Sequence, residues 1–332
     1  MSEGFFYPDQ LPVPGLSSER LCGAMVRILP RTVLMLGLVE TAEVARNQAR
    51  NESLPDGSEC WHRFFTAEDL TKVNEPEFTM GMVRHEFARV VKSGAKFPAT
   101  IPLDGGGSGF AISSAGHVLT NYHLVTSEVA NYQRQNGAIG SEVLCKSLRA
   151  QVAHRNNAGH WEWRDASSVW LVSNPPEARA IAQDKDGSSR LNEDTALLRV
   201  DPAPKAHLRL ADRTVQVSER LWMAGFPLRS ARSGQSLEAH GYSDADGTLR
   251  ISSGHVLSVD PEGSFTSDAD GSMGNSGSPV IDAHGLVVGM FSRATGDGPR
   301  NAFEYGHMSR VHVSASSAIH GLHLAQLPAS DG

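Results

Sequence analysis

A serine stands between glycines in the stretch Met273-Gly274-Asn275-Ser276-Gly277-Ser278-Pro279-Val280. Glycine, asparagine and proline at this density disfavour a helix interior or a regular strand, so the stretch predicts a tight loop that holds the Ser276 hydroxyl among free backbone N–H groups. Acyl transfer requires such a loop, because a nucleophilic oxygen attacks a carbonyl carbon while nearby N–H groups stabilise the developing oxyanion. A hydroxyl is a weak nucleophile alone, so the hypothesis requires a histidine base and a carboxylate upstream.

The candidate base is His123, in the segment Gly107–Val125. This segment predicts two short strands around the turn Ser114–Gly116. His123 lies where the second strand ends, a position from which its side chain can enter a cleft. Because the chain has 14 histidines, His123 alone could also be an ordinary structural residue. His117 lies beside the turn, and we expect it to face solvent.

The candidate acid is Asp194, directly before the apolar run Thr195–Val200. One interpretation is the polar start of a strand. The other is a buried acceptor that orients the imidazole and stabilises its protonated form. Taken alone, the pattern leaves other carboxylates open, namely Glu193, Asp184, Asp186 and Asp201.

Together the three segments are more specific, because they occur in the order His, Asp, Ser. This is the chain order of chymotrypsin-like proteases, whereas subtilisins and α/β-hydrolases use other orders. The loop also departs from the hydrolase pattern G-x-S-x-G, since Ser278 stands in place of the last glycine. Over residues 104–322 the chain resembles trypsin-like serine proteases, in particular the bacterial branch that includes HtrA-type and glutamyl endopeptidases.

The resemblance implies a role for each residue of the three segments. His123 takes the general-base position, Asp194 the orienting acid and Ser276 the nucleophile. The backbone N–H groups of Gly274 and Ser276 would form the oxyanion hole. Ala224–Pro227 resembles a recurrent turn of the second barrel. The implied activity is a serine endopeptidase, and the alternative is a catalytically silent binding module with the same fold.

The implied fold is mainly β, with two antiparallel six-stranded β-barrels, a partly helical N-terminal extension and a C-terminal helix near Ser316–Gln326. Short apolar runs separated by turn residues support an all-β fold after residue 100. We expect an N-terminal accessory region at 1–97, a first barrel at 98–204 with a long surface insertion near 133–193, and a second barrel with the helix at 205–332. We expect no PDZ domain after the last barrel.

The roles of the N-terminal accessory region and of the insertion in the first barrel have more than one interpretation. In the accessory region, helical composition is found at Val39–Asn51 and Thr79–Lys92, and Thr66 is a candidate helix cap. This region is expected to be a packed extension, with a propeptide or a partner-docking element as alternatives. The insertion contains three clustered tryptophans, Trp161, Trp163 and Trp170. They would form either a small apolar cluster on the barrel or a partner-binding surface.

The substrate preference depends on the residues that would line the S1 pocket. The resemblance points to Met273, then Phe291, Ser292 and Arg293, and then His312. Met273 and Phe291 favour a smaller or apolar P1 side chain. Glutamyl endopeptidases have a histidine about where Phe291 stands, which argues against glutamate specificity.

The composition limits the possible partners and the compartment. A net charge of −7 and a pI near 6.0 give no electrostatic reason to expect binding to nucleic acid or to a membrane. The three cysteines cannot all be paired, and the sequence does not begin like a signal peptide, so we expect a reducing cytoplasm. The excess of arginine over lysine suggests a bacterial source. We expect a protein or peptide substrate and a possible regulatory partner at the N-terminal region or the Trp-bearing insertion, with no cofactor and no metal.

Overall fold

The computed structural model describes residues 5–55, 58–75, 78, 82–102, 106–126, 128–129, 136, 142–173, 194–227, 249–261, 263–271, 274–295 and 310–315. The chain forms two compact units. One comprises Met1–Leu29, Gly106–Cys145 and Arg149–Gly332, and the other comprises Pro30–Gly105 with Lys146–Leu148. The C-terminal helix expected near Ser316–Gln326 lies outside the described residues.

Eight strands form the first sheet of the larger unit, in the order β10-β9-β1-β6-β7-β12-β11-β8. With strands numbered in chain order, they are β1 (Met25–Pro30), β6 (Gly107–Ala111), β7 (His117–Thr120), β8 (Val143–Leu144), β9 (Leu148–Arg155), β10 (Trp161–Asp165), β11 (Ser168–Ser173) and β12 (Ala196–Asp201). Strand β8 is at one edge, and β9 is next to the other. Because only three residues of the sequence separate β8 from β9, the sheet must curl so that its edges approach.

The structure divides the chain differently from the expected boundaries. Strand β1 pairs with β6 from Met25↔Phe110 to Ile28↔Gly107, although it lies within the predicted accessory region. Strands β8 to β11 fall within the expected surface insertion near 133–193, yet they belong to the sheet. Their apolar side chains explain this, since Leu148, Ala150 and Val152 alternate into the interior along β9.

The second sheet is a closed barrel in the order β13-β14-β15-β18-β17-β16. Its strands are β13 (Arg220–Gly225), β14 (Arg250–Val259), β15 (Phe265–Ser267), β16 (Pro279–Ile281), β17 (Val287–Thr295) and β18 (Arg310–Ala315). The barrel core includes Leu221, Met223, Val256, Phe265 and Val288. The closed second barrel and the curled first sheet confirm the predicted chymotrypsin-like double-barrel fold, although the first sheet has eight strands where six were expected.

The N-terminal segment of the chain packs on the same unit. Phe6 forms an antiparallel bridge with Ile251 of β14. Helix α1 (Ser18–Ala24) begins at the N-cap Ser17, whose side chain accepts a hydrogen bond from the Arg20 N–H. Buried side chains from this segment join a core shared with strands of both sheets, including Val13, Leu21, Phe110, Leu197, Trp222 and Ile251.

In the described part of the smaller unit, a four-stranded sheet in the order β3-β4-β2-β5 is accompanied by three helices. The elements are β2 (Thr32–Leu38), α2 (Ala42–Gln48), β3 (Arg50–Ser53), β4 (Glu59–Phe65), α3 (Ala67–Lys72), α4 (Met82–Lys92) and β5 (Ala99–Pro102). Phe65 and Phe87 stack at 3.9 Å between ring centroids in its core. Thr66 caps α3 through a capping box with Asp69. The predicted helical content of this region is confirmed.

Two of the three clustered tryptophans pack on the larger unit. Trp161 and Trp163 lie against its shared core, and Trp163 contacts Phe226 edge to face at 4.8 Å. Trp170 lies near the guanidinium of Arg199 instead. Trp161 and Trp163 therefore match the packed alternative. Within the residues that the structure describes, there is no helix of sufficient length and apolarity to cross a membrane.

Candidate active site

His123 is presented by the hairpin of β6 and β7, as the sequence predicts. Gly116 closes the turn at φ +82°, a backbone conformation that favours glycine. After β7 the chain enters a short 3₁₀ turn, Tyr122–Leu124. Tyr122, before His123, and Val125, after the turn, are buried, whereas 44% of the His123 side chain is exposed. The imidazole is therefore anchored by its neighbours and still accessible to a substrate.

Asp194 is buried beside His123. Strand β12 follows it and pairs with β7 at Ala196↔Thr120, which brings Asp194 to the end of the hairpin. The His123 Nδ1 lies 2.9 Å from Oδ2 and 3.1 Å from Oδ1 of Asp194. The His123 backbone N–H also donates to Oδ1 at 3.0 Å, and the Asn121 side chain donates to the Asp194 carbonyl at 2.9 Å.

These contacts determine the useful tautomer of His123. A carboxylate only accepts hydrogen bonds, so the imidazole must carry its proton on Nδ1 when it faces Asp194. The Nε2 of neutral His123 then has a free lone pair. This is the arrangement that a general base requires.

A further side chain holds Asp194 from the second barrel. Ser292, on β17, donates its hydroxyl to Oδ2 of Asp194 at 2.6 Å. The family resemblance predicts a substrate-binding role for Ser292, whereas the structure places its side chain on the Asp194 carboxylate. The residues around Ser292 do not predict this contact, because Ser292 and Asp194 are 98 residues apart in the chain.

The segment with Ser276 forms the expected tight loop. Gly274 and Gly277 have φ values of +91° and +84°, which only glycine adopts easily. The Ser278 N–H donates to the Asn275 carbonyl at 2.8 Å and closes the turn. The loop is fixed to β17, because Phe291 accepts from the Gly277 N–H at 3.0 Å and donates its own N–H to Ser278 at 2.8 Å.

Backbone contacts bring this loop to the hairpin of His123. The Ser108 N–H donates to the Ser276 carbonyl at 2.6 Å. A side chain at Gly107 would lie 2.9 Å from that carbonyl oxygen and 2.2 Å from the Leu124 side chain, so only glycine permits this approach. Leu124 is the residue after His123. The structure therefore brings together the three segments that the sequence singled out.

The N–H groups that the sequence analysis assigned to an oxyanion hole belong to Gly274 and Ser276. Within the described ranges, neither N–H has an internal acceptor. Nearby N–H groups are used in the loop, such as those of Gly277 and Ser278. Oxyanion stabilisation requires N–H donors that are not used within the loop.

The remaining residues assigned to substrate binding have different positions. Phe291 is 2% exposed, and its side chain packs in the core of the second barrel with Val280 and Val288. Arg293 and His312 are paired in register between β17 and β18, and the structure describes the backbone but not the side chains of these two residues. Met273 also lies outside the described residues.

His117 differs from the expectation that it faces solvent. It is 7% exposed, and its Nδ1 lies 2.8 Å from the Ser113 hydroxyl across the turn. Burial, with a smaller contribution from the nearby Arg199 charge, lowers the pKa of His117. No group of three or more metal-ligating side chains is found in the portion of the chain that the structure describes.

Residues 107–290, more than half of the chain, match the family model of the trypsin-like peptidase domain. No curated protein matches the chain in sequence. Solved structures to which it is similar include the active form of the Rv3671c protease from M. tuberculosis, at 15% identity and a TM-score of 0.43, covering 100% of this chain and 96% of that one. Deg5 is 18% identical with a TM-score of 0.41, covering 67% of this chain and 84% of that one. The chain belongs to the trypsin-like peptidase family and is a serine endopeptidase.

Proposed function

We propose that the protein hydrolyses peptide bonds through a triad of Ser276 as nucleophile, His123 as general base and Asp194 as orienting acid. The observation that carries the proposal is the contact of His123 Nδ1 with the buried Asp194 carboxylate at 2.9 Å. It leaves Nε2 as the basic atom of an exposed imidazole. The fixed turn around Ser276, joined to the same hairpin through Ser108, supports its role as the nucleophile.

The reaction has two steps. In the first, Ser276 Oγ attacks the scissile carbonyl while its proton passes to His123 Nε2. The C–N bond then breaks, and the imidazolium returns the proton to the leaving amine. In the second, His123 takes a proton from water, whose oxygen attacks the acyl ester, and Ser276 leaves with that proton. Asp194 stays ionised and holds the imidazole throughout.

The oxyanion formed in each step would accept hydrogen bonds from the N–H groups of Gly274 and Ser276. Their lack of an acceptor among the described residues supports this role. Such donors are already oriented before the reaction, so they stabilise the charge without further reorganisation.

We further propose that the enzyme acts in a reducing compartment, the cytoplasm, on a narrow or regulated set of proteins. Cys22, Cys60 and Cys145 are free and buried, which supports a reducing environment. Burial raises the pKa of Cys22 to about 11 despite the nearby Arg155 charge, so this thiol is poorly reactive. The N-terminal region is the proposed contact for a regulatory partner, or the part of the Trp-bearing insertion around Trp170, since Trp161 and Trp163 pack on the core.

A fluorophosphonate probe tests the proposal, because it labels only an activated serine. We expect labelling of the wild-type full chain, none of Ser276→Ala and strongly reduced labelling of His123→Ala. Ser258→Ala removes an exposed serine hydroxyl of the second barrel and is the matched control, with labelling unchanged. If the wild-type full chain is not labelled, the catalytically silent binding module becomes the better interpretation.

The substrate class requires a separate measurement. Proteome-derived peptides incubated with the wild type and with Ser276→Ala would report the cleaved sequences directly. Cleavages present only with the wild type define the P1 residue, for which a smaller or apolar side chain is proposed. Predominant cleavage after glutamate or after basic residues would contradict that preference.

A further inference from the structure

We propose that Ser108 is a positioning residue that holds the oxyanion hole in its active orientation. The inference rests on the proposed role of the Gly274 and Ser276 N–H groups. Ser108 lies on β6, is 0% exposed and is remote in sequence from the loop that it contacts. Its place in the hairpin does not by itself require a hydroxyl.

Ser108 binds the carbonyl of each oxyanion-hole residue. Its backbone N–H donates to the Ser276 carbonyl at 2.6 Å. Its side-chain Oγ donates to the Gly274 carbonyl at 2.8 Å. One residue of the first sheet therefore fixes the loop on both sides of Asn275.

The direction of the side-chain hydrogen bond is determined by a second contact. The Phe226 N–H donates to Ser108 Oγ at 3.1 Å, so the hydroxyl oxygen is used as an acceptor there. A hydroxyl has one proton, and the Gly274 carbonyl can only accept, so that proton must point to Gly274. The Ser108 carbonyl is held in turn by the Thr120 hydroxyl at 2.7 Å, which fixes Ser108 to β7.

The Gly274 carbonyl needs such a partner because of its backbone. At φ +91°, Gly274 has no side chain to restrict rotation of the adjoining peptide groups. The neighbouring Asn275 amide oxygen, which is buried without a partner among the described residues, is itself an acceptor and cannot bind the Gly274 carbonyl in place of Ser108. The Gly274 carbonyl and N–H belong to the two peptide groups that meet at the Gly274 Cα. Loss of the Ser108 hydroxyl would free the first of these groups and thereby leave the direction of the N–H less restricted. A misaligned donor stabilises an oxyanion poorly.

The contact can be removed without removing the backbone contact. Ser108→Ala keeps the N–H that donates to Ser276 and loses only the hydroxyl. Ser108→Cys keeps nearly the same shape but supplies a weak S–H donor. Ser113→Ala is the matched control, because Ser113 is also a buried serine of this hairpin, with its hydroxyl directed to His117 at the far turn.

The test is the pre-steady-state burst and the turnover of p-nitrophenyl acetate by the full chain, with thermal unfolding measured alongside. Removing one oxyanion donor costs about 10²–10³-fold in kcat, so a misaligned donor should cost about 10- to 100-fold. We expect that loss in kcat for Ser108→Ala and Ser108→Cys, with KM within about twofold. The pH profile should keep its shape, because Ser108 does not contact His123. Ser113→Ala should keep the wild-type kcat.

The outcomes separate this inference from the proposed function. A wild-type chain without a burst, with Ser276→Ala equal to it, overturns both. A wild-type burst with unchanged kcat in Ser108→Ala or Ser108→Cys overturns only the role of Ser108. Equal losses in Ser108→Ala and Ser113→Ala would show a structural effect and overturn it as well. If Ser108→Ala does not fold, Ser108→Cys decides.

Discussion

Ser292 donates its hydroxyl to Asp194 at 2.6 Å, which joins the second barrel to the carboxylate that faces His123. Both partners are buried, and the hydrogen bond has a charged acceptor. Ser292 therefore restricts the rotation of the carboxylate on the side opposite the His123 backbone N–H. The orientation of the imidazole therefore depends on Ser292, a residue for which the family resemblance predicts substrate binding instead.

Ser292→Ala should lower kcat with little change in KM. A hydrogen bond to a charged group contributes about 1.5–3 kcal/mol, and part of this remains because His123 still contacts Asp194, so we expect about a tenfold loss. Steady-state kinetics on a peptide substrate identified by the cleavage screen would measure it, with Ser258→Ala as the control. A change confined to KM would instead support direct contact with the substrate.

Asp194→Asn should abolish most of the activity while preserving the fold. The amide nitrogen that replaces one carboxylate oxygen donates a hydrogen bond, so His123 Nδ1 must accept it and the proton moves to Nε2. The imidazole can then no longer accept the Ser276 proton, and we expect a loss of about 10⁴-fold in kcat. Asp201→Asn, an exposed carboxylate at the other end of β12, is the control. A loss of less than tenfold in Asp194→Asn would exclude Asp194 as the orienting acid.

The sequence was sufficient to predict the elements that carry local signals. The hairpin around Gly116 and the capped helix at Thr66 follow from turn and cap residues, and the structure has both. The loop around Ser276 follows from its glycines. These features depend on the backbone preferences of a few neighbouring residues, so they can be inferred without knowledge of the tertiary fold.

Long-range contacts could not be predicted in this way. Nothing near Met25 indicates that β1 pairs with β6, because a short apolar run fits many sheets. The contacts of Ser292 with Asp194 and of Ser108 with Gly274 likewise join residues far apart in the chain. The long spacing between His123 and Asp194 predicts an insertion where the structure has strands at Val143–Ser173, because spacing alone does not distinguish an inserted loop from additional strands.

Gly277→Ala should both destabilise the protein and remove activity. Gly277 has φ +84°, and a Cβ there would lie 2.0 Å from the Ser108 carbonyl oxygen. Gly159 has φ +80° with no atom within 4 Å of a Cβ, so Gly159→Ala is a matched control for backbone strain alone. We expect about 1–2 kcal/mol of destabilisation for Gly159→Ala and a clearly larger value for Gly277→Ala. Urea unfolding and fluorophosphonate labelling measure the two effects. Equal destabilisation of both variants would contradict the close contact with Ser108.

Gly225 and Ser278 should be coupled. A Cβ at Gly225 would lie 1.9 Å from Ser278 Oγ. Because Ser278 is 0% exposed, its hydroxyl cannot turn away from that Cβ into solvent. We therefore expect Gly225→Ala to be less destabilising in a Ser278→Ala background, by about 1 kcal/mol, within the usual range for residues in contact. A double-mutant cycle of urea unfolding measures this coupling. Additive effects of the two substitutions would contradict it.

Arg213 should stabilise the second barrel in a pH-dependent way. Its guanidinium donates to Asp282 at 2.7 Å and to Glu219 at 2.5 and 3.1 Å. Burial alone would raise the pKa of Asp282, but hydrogen bonds from Arg213 and from the Leu286 and His284 N–H groups lower it below its ordinary value. The hydrogen bond from Arg213 likewise lowers the pKa of Glu219. Both carboxylates are therefore more readily ionised in the folded state.

A carboxyl group with a lowered folded-state pKa contributes its full stability above the unfolded-state pKa and loses it as the pH falls through the folded-state value. Arg213→Ala should therefore lower the free energy of unfolding by about 2 kcal/mol at pH 7, less than for a fully buried pair because Arg213 is partly exposed. The difference from the wild type should shrink below about pH 4, where carboxylates protonate. Arg209→Ala removes an exposed arginine of the same segment and should change little. Urea unfolding at several pH values tests this, and a pH-independent loss in Arg213→Ala would assign its effect to packing rather than to charge.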